Sequence, residues 1–171
     1  ENLALPVYRD EFAAIAVKLY EALSGVKATA VTSNPFTDTD DQEVLKAYNL
    51  NLINGTSPTT FSPRIMLNRQ EAATMLTRAY KKATLEGWSL ATDSQYPLSY
   101  EAKPFADDTE IDDWAKESVY FMAANNVIKG LGDNKFGPKN MSAAESDAKY
   151  ANASREQALI MSVRSFMNLK K

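Results

Sequence analysis

One stretch of this chain occurs twice with the same internal spacing. Asn54-Gly55 followed by Phe61-Ser62-Pro63 returns as Lys129-Gly130 followed by Phe136-Gly137-Pro138, every landmark displaced by 75 positions (130 − 55, 136 − 61, 138 − 63). A repeat constrains the fold more than composition does, because one supersecondary unit must bury the same face each time it appears. Ahead of each glycine runs an apolar stripe: Val44, Ala47, Tyr48 and Leu52 in one copy, Val119, Met122, Ala123 and Val127 in the other. Their i, i+3, i+4, i+8 spacing predicts one buried helical face in both. Gly55 and Gly130 follow these helices and are expected to close the last turn in a left-handed conformation.

Upstream, Pro35-Phe36-Thr37-Asp38 and Pro104-Phe105-Ala106-Asp107 stand 69 apart (104 − 35), so the second copy carries six extra residues (75 − 69), among them Asp113-Trp114-Ala115. Downstream, a second helix type opens on arginine at Leu67-Asn68-Arg69-Gln70-Glu71 and at Ala153-Ser154-Arg155-Glu156-Gln157. A third instance lies at Val7-Tyr8-Arg9-Asp10-Glu11. The apolar stripes run through Phe12, Ile15, Ala16, Leu19 and Leu23, then Ala72, Met75, Leu76, Ala79 and Tyr80, then Leu159, Val163, Phe166 and Met167. Each predicts a core-facing side. Asn68 with Glu71, and Ser154 with Gln157, have capping-box spacing; Tyr8 lacks that cap.

The expected architecture is all-α, with negligible strand content. Three arginine-headed helices pack mutually at the centre and two glycine-terminated helices lie outside them. A chain of 171 residues buries one core. The whole of 1–171 therefore reads as a single domain, divided into a repeat half at 1–34, a repeat at 35–86, a linker loop at 87–103 and a repeat at 104–171. Gly87 to Lys103 and Ser142 to Ala153 read as surface loops. Trp88, Tyr96 and Tyr100 are expected to pack inward; stacking on a sugar is the alternative.

Composition narrows function mainly by exclusion. The chain has no cysteine and no histidine, which removes thiolate nucleophiles, Ser-His triads and the usual zinc or copper sites. A pI near 5.1 speaks against nucleic acid held by bulk charge. No apolar run approaches a membrane span, and the stretch from Glu1 has neither the basic start nor the apolar core of a secretory signal. Acid runs at Asp38, Asp40 and Asp41 and at Asp107, Asp108, Glu110, Asp112 and Asp113 offer paired carboxylates, but helix dipoles explain acids at helix starts more simply. Neither run completes a calcium loop. The expectation is no enzymatic activity, no metal and no cofactor.

The landmarks together resemble the S-layer homology family: a Phe-x-Asp opening, a Trp-Ala pair early in the first helix, a Gly ahead of a Gly-Asp-x-x-Phe-x-Pro turn, and a Thr-Arg-Ala-Glu-like start to the second helix. The second copy matches most fully, through Phe105, Asp107, Trp114-Ala115, Gly130, Gly132-Asp133, Phe136, Pro138 and Ser154-Arg155. The first has Thr39 in place of the tryptophan and Thr56-Ser57-Pro58 in place of the Gly-Asp turn. The resemblance implies a central three-helix bundle with peripheral helix-loop prongs in pseudo-threefold arrangement. It also implies noncovalent attachment to secondary cell-wall polysaccharide, often bearing ketal-linked pyruvate, in grooves between repeats, and an extracellular place in a bacterial cell wall or S-layer. The glycan-binding residues it implies are Arg9, Arg69, Arg155, Trp114, Gly132 and Asp133, with Asp38 and Asp107 of the Phe-x-Asp turns beside them.

The arginines pose their own electrostatic question. A helix N-terminus already carries about half a positive charge, so a guanidinium in the first turn asks for a partner. A carboxylate ligand supplies one through bidentate bonds. The alternative is a salt bridge to Asp38 or Asp107, or to an acid on the same helix. For Trp114 a half-buried core position is the ordinary expectation; Phe36, Phe61, Phe105 and Phe136 are assigned to packing. On completeness of motif, an acidic ligand is expected near Arg155 and Trp114 in preference to Arg9 or Arg69. A second reading makes the chain an assembly module that joins neighbouring surface-layer protein copies without binding sugar.

Overall fold

The computed structural model describes residues 2–169. Six α-helices follow in order: α1 (Arg9–Ser24), α2 (Gln42–Asn49), α3 (Arg69–Thr84), α4 (Asp113–Ala124), α5 (Ala143–Asp147) and α6 (Arg155–Leu169), with 3₁₀ turns at Leu90–Gln95 and Asp108–Glu110. Among the described residues extended pairing is confined to isolated bridges. The capping boxes form where the spacing predicts them. Asn68 Oδ1 accepts from Glu71 N at 2.9 Å while Glu71 accepts from Asn68 N at 3.0 Å, and Ser154 and Gln157 exchange the same pair at 3.1 and 3.2 Å. At α1 half of the box survives: Glu11 accepts from Tyr8 N at 3.0 Å.

The three arginine-headed helices pack on one another at the centre; α2 lies on α1 and α4 lies on α3. Just ahead of the central helices, extended residues bond in a ring: Val7 N to Ala153 O at 2.9 Å, Ala153 N to Leu67 O at 3.1 Å, and Leu67 N to Val7 O at 3.0 Å. The bridges Pro6–Ser154, Tyr8–Met66 and Asn68–Asn152 run around the same ring. Each segment thereby satisfies backbone groups that would otherwise be left buried without partners. One consequence is that each outer helix leads into one central helix but packs chiefly on the one before it: α2 leads into α3 and packs on α1, α4 leads into α6 and packs on α3.

Paired phenylalanines hold the outer units in place, Phe36 with Phe61 at 5.6 Å and Phe105 with Phe136 at 5.4 Å between ring centroids. The Phe-x-Asp carboxylates close the same units. Asp38 accepts from Phe61 N and Ser62 N at 2.8 and 2.7 Å, and Asp107 accepts from Phe136 N and Gly137 N at 2.8 Å each.

Two sequence expectations are corrected here. The residues that end α2 and α4 in left-handed conformation are Asn51 (φ 65°) and Asn126 (φ 57°), a role asparagine tolerates. Gly55 and Gly130 come later and serve close approach of backbone: a Cβ on Gly130 would stand 2.6 Å from Lys135 O, and one on Gly55 2.5 Å from Thr60 O. Gly130→Ala is therefore expected to destabilise the chain by about 1–3 kcal/mol, read as a lowered urea midpoint with unchanged m-value. The second correction concerns α6. Leu159 (49% exposed), Val163 (57%) and Met167 (70%) face outward, while Ala158, Met161, Ser165 and Leu169 are buried. Periodicity reveals an apolar face but not whether anything covers it.

Of the two loops, the one after α3 is pinned inward. Trp88 is buried and donates from Nε1 to Asp93 Oδ1 at 2.6 Å, and the buried Lys81 of α3 reaches Asp93 at 2.9 Å and Glu117 of α4 at 2.5 Å. Tyr100 stays exposed and stacks on Tyr120. The stretch from Ser142 is less irregular than expected, since it contains α5.

Candidate functional site: grooves between successive repeats

The first-turn arginines answer their electrostatic question with carbonyl oxygens. Arg9 donates from Nη2 to Asn54 O at 3.1 Å and from Nε to Phe61 O at 3.3 Å, its guanidinium 4.8 Å from the Phe61 ring centroid. Arg69 repeats this one unit along, donating to Phe136 O at 3.0 Å and to Lys129 O, 5.0 Å from the Phe136 centroid. Each arginine thus leans off its own helix into the turn of the following repeat. The alternative bridges to Asp38 and Asp107 are not made, because those carboxylates hold backbone N–H groups. Burial works against both guanidinium charges and pushes Arg69 down to about 10, so Arg69 remains cationic near neutral pH. Arg155 pairs with an acid on a neighbouring helix, Glu11 of α1, at 2.7 Å.

Beside Arg9 opens a groove of about 360 Å³, walled by the 52–56 turn, by Glu71, Thr74 and Arg78 of α3, and by Trp114 of α4. Beside Arg69 lies a second, of about 200 Å³. The two correspond residue by residue: Arg9 to Arg69, Gly55 to Gly130, Glu71 to Gln157, Thr74 to Ile160, Met75 to Met161 and Arg78 to Arg164. One wall has no counterpart, since nothing in the second groove answers Trp114. The first groove presents two guanidiniums against one carboxylate, and Glu71 is already engaged with Asn68 N at 3.0 Å. Arg78 leans on Leu52 O at 3.4 Å, and burial lowers its pKa.

Trp114 overturns the half-buried expectation: it is 55% exposed. The reason is local. α4 has 12 residues against 8 in α2, and the extra first turn, Asp113 to Lys116, carries the indole beyond the core. Trp114 therefore stands with Arg9 and Arg78, whereas Arg155 lines neither groove. Gly132 and Asp133 sit exposed at the tip of the 130–136 turn with φ of 107° and 50° and also line neither. Arg78 and Arg164 were overlooked in the sequence, though a signal was present: each follows its first-turn arginine by nine positions (78 − 69, 164 − 155).

Stacked helical units with a recurring groove between neighbours define the class, a helical-repeat binding module. Within that class, the family profile of the S-layer homology domain matches residues 35–73 and 104–141, and the chain carries two S-layer homology repeats. The matched segments contain α2, α4 and both Phe-x-Pro turns; α1 and α6 lie outside them. S-layer homology domains are modules of cell-surface and cell-wall attachment that bind cell-wall polymers, a binding family and not a catalytic one. A search among curated proteins returned no match. Among the described residues no helix is long and apolar enough to cross a membrane.

Proposed function

We propose that this chain anchors a protein to a bacterial cell wall from outside the cell, by holding an acidic secondary cell-wall polysaccharide in the groove of Arg9, Arg78 and Trp114, with the groove of Arg69 and Arg164 as a second, weaker site. The observation that supports this is the position-by-position recurrence of a groove with two guanidiniums between successive repeats. A ketal-linked pyruvate presents a carboxylate suited to an arginine fork, and an exposed indole offers an apolar face to the sugar ring. In this reading Asp38 and Asp107 shape the turns from behind, and Arg155, Gly132 and Asp133 stand outside the contact. No reaction is involved: the ligand is held and released unchanged.

The chain is expected to sediment with isolated sacculi and to remain in the supernatant once the secondary polymer is stripped from them or its pyruvate removed by mild acid. Sedimentation that survives the stripping rejects the polysaccharide as ligand. The assembly reading draws support from the exposed apolar face of α6; a chain that ignores sacculi yet self-associates in sedimentation velocity would favour it.

A further inference from the structure

Trp114 lines two cavities, of which the Arg9 groove is one. The other, of about 260 Å³, lies between α3, the first half of α4 and the loop that carries the 3₁₀ turn at Leu90–Gln95. Thr74, Arg78 and Trp114 line both, so the two depressions adjoin along a shared ridge and one extended ligand can enter both. Their chemistry differs. In the Arg9 groove two guanidiniums face one carboxylate; here three carboxylates, Asp93, Asp113 and Glu117, face two cations, Arg78 and Lys81. Lys81 is engaged with Asp93 at 2.9 Å and Glu117 at 2.5 Å, and Glu117 also accepts from Leu98 N at 3.0 Å. These bonds hold the loop in place as a wall. Asp113 is exposed and has no hydrogen-bond or ion-pair partner among the described residues.

The floor of the cavity carries the observation that points to a ligand. The Thr74 and Thr77 hydroxyls donate to Gln70 O and Ala73 O at 2.9 and 2.8 Å, the back-bonding open to a hydroxyl inside a helix. Ser118 departs from that pattern. It is 6% exposed and lines the cavity, and among the described residues its hydroxyl has no hydrogen-bond partner. A buried hydroxyl left in this state asks for a partner from the space it borders.

We infer that this cavity is a second subsite for the same ligand, taking an uncharged pyranose glycosidically linked to the acidic residue held by Arg9 and Arg78; the inference rests on the polysaccharide reading of that groove. The lining selects the class. Ring hydroxyls donate to Asp113 and pair with Ser118, while the apolar side of the ring rests on Trp114. The excess of carboxylate opposes a second acidic residue at this position. Counted from the first-turn arginines, Thr77 and Lys81 of α3 correspond to Val163 and Met167 of α6, so the polar floor is not repeated beside the Arg69 groove.

Calorimetry on the 171-residue chain tests this with three ligands: a pyruvylated monosaccharide, the same unit linked to a neutral hexose, and the same unit linked to a uronic acid. The neutral disaccharide is expected to bind about tenfold more tightly than the monosaccharide, and the uronic disaccharide no more tightly. Asp113→Ala combined with Ser118→Ala is expected to remove most of that gain and leave the monosaccharide affinity as it was, with thermal melts confirming that the variant is folded. A neutral disaccharide that binds no better than the monosaccharide, or a gain that the double variant keeps, overturns the inference and leaves the groove reading standing. A uronic gain equal to the neutral one overturns the class assigned to the subsite. Failure of all three ligands to bind the parent chain overturns the groove reading and this inference with it.

Discussion

Asp107→Ala is expected to cost the fold about 3–5 kcal/mol, the combined penalty for two buried backbone donors left without an acceptor. Asp107 is 5% exposed, and its two oxygens take the N–H groups of Phe136 and Gly137 at 2.8 Å each. Those bonds fold the Phe-x-Pro turn back onto the Phe-x-Asp segment, which seats Phe136 against Phe105 and presents Phe136 O to Arg69. Equilibrium urea unfolding checks the prediction, with Asp107→Asn expected to recover part of the loss because one acceptor oxygen remains. The same change at Asp38 should cost less, since that carboxylate is exposed and water can replace it. The N–H of Phe61, followed by that of Ser62, holds Asp38 below the ordinary carboxylate range despite some desolvation. The Asp38 clamp is therefore complete above that range and is lost as pH falls through the lowered pKa. Asp107→Ala no more destabilising than Asp38→Ala would mean that the clamp contributes little.

Trp114→Ala is expected to weaken binding to pyruvylated polymer by about tenfold to a hundredfold, and Arg9→Ala by a similar factor, from losing about 1.5–3 kcal/mol each. The two should be distinguishable in their side effects. Trp114 is 55% exposed on the extra turn of α4, so its removal should leave the melting temperature nearly unchanged. Arg9 also ties α1 to Asn54 O and Phe61 O, so its removal should lower stability as well as affinity. Arg9→Lys should restore only part of the binding, because lysine keeps the charge but loses the fork. Arg155→Ala is the informative contrast: it breaks the pair with Glu11 at 2.7 Å but touches neither groove, so it should reduce stability more than affinity. Calorimetry with a pyruvylated oligosaccharide, run beside thermal melts, separates these outcomes. Loss of binding in Arg155→Ala alone, with Arg9→Ala and Trp114→Ala unaffected, would move the site to the motif-complete copy.

Much of the architecture was legible because it rests on local chemistry. The 75-residue displacement of Gly55 and Phe61 onto Gly130 and Phe136, the capping pairs Asn68–Glu71 and Ser154–Gln157, and the stripes of α1 to α4 all express interactions within a turn or two of chain. Such interactions leave a periodic trace in sequence. The site was less legible, because each groove is assembled from three segments: a first-turn arginine, the turn of the next repeat, and the middle of the following central helix. Motif completeness grouped Trp114 with Arg155, which stand in one repeat; packing groups it with Arg9, which stands two central helices earlier.

The sequence by itself determined the repeat, the helical class, the helix starts and the absence of histidine and cysteine chemistry. Only the tertiary structure decided that Asp38 and Asp107 hold backbone instead of arginines, that Gly55 and Gly130 make room for backbone while Asn51 and Asn126 turn the helices, and that Trp114 faces outward. It also decided that the apolar stripe of α6 is uncovered. The physical reason is common to all four. Hydrophobic periodicity and capping depend on neighbours along the chain, whereas a carboxylate's partner, the space beside a glycine and the cover on a helix face depend on which distant segments the ring of central helices brings together.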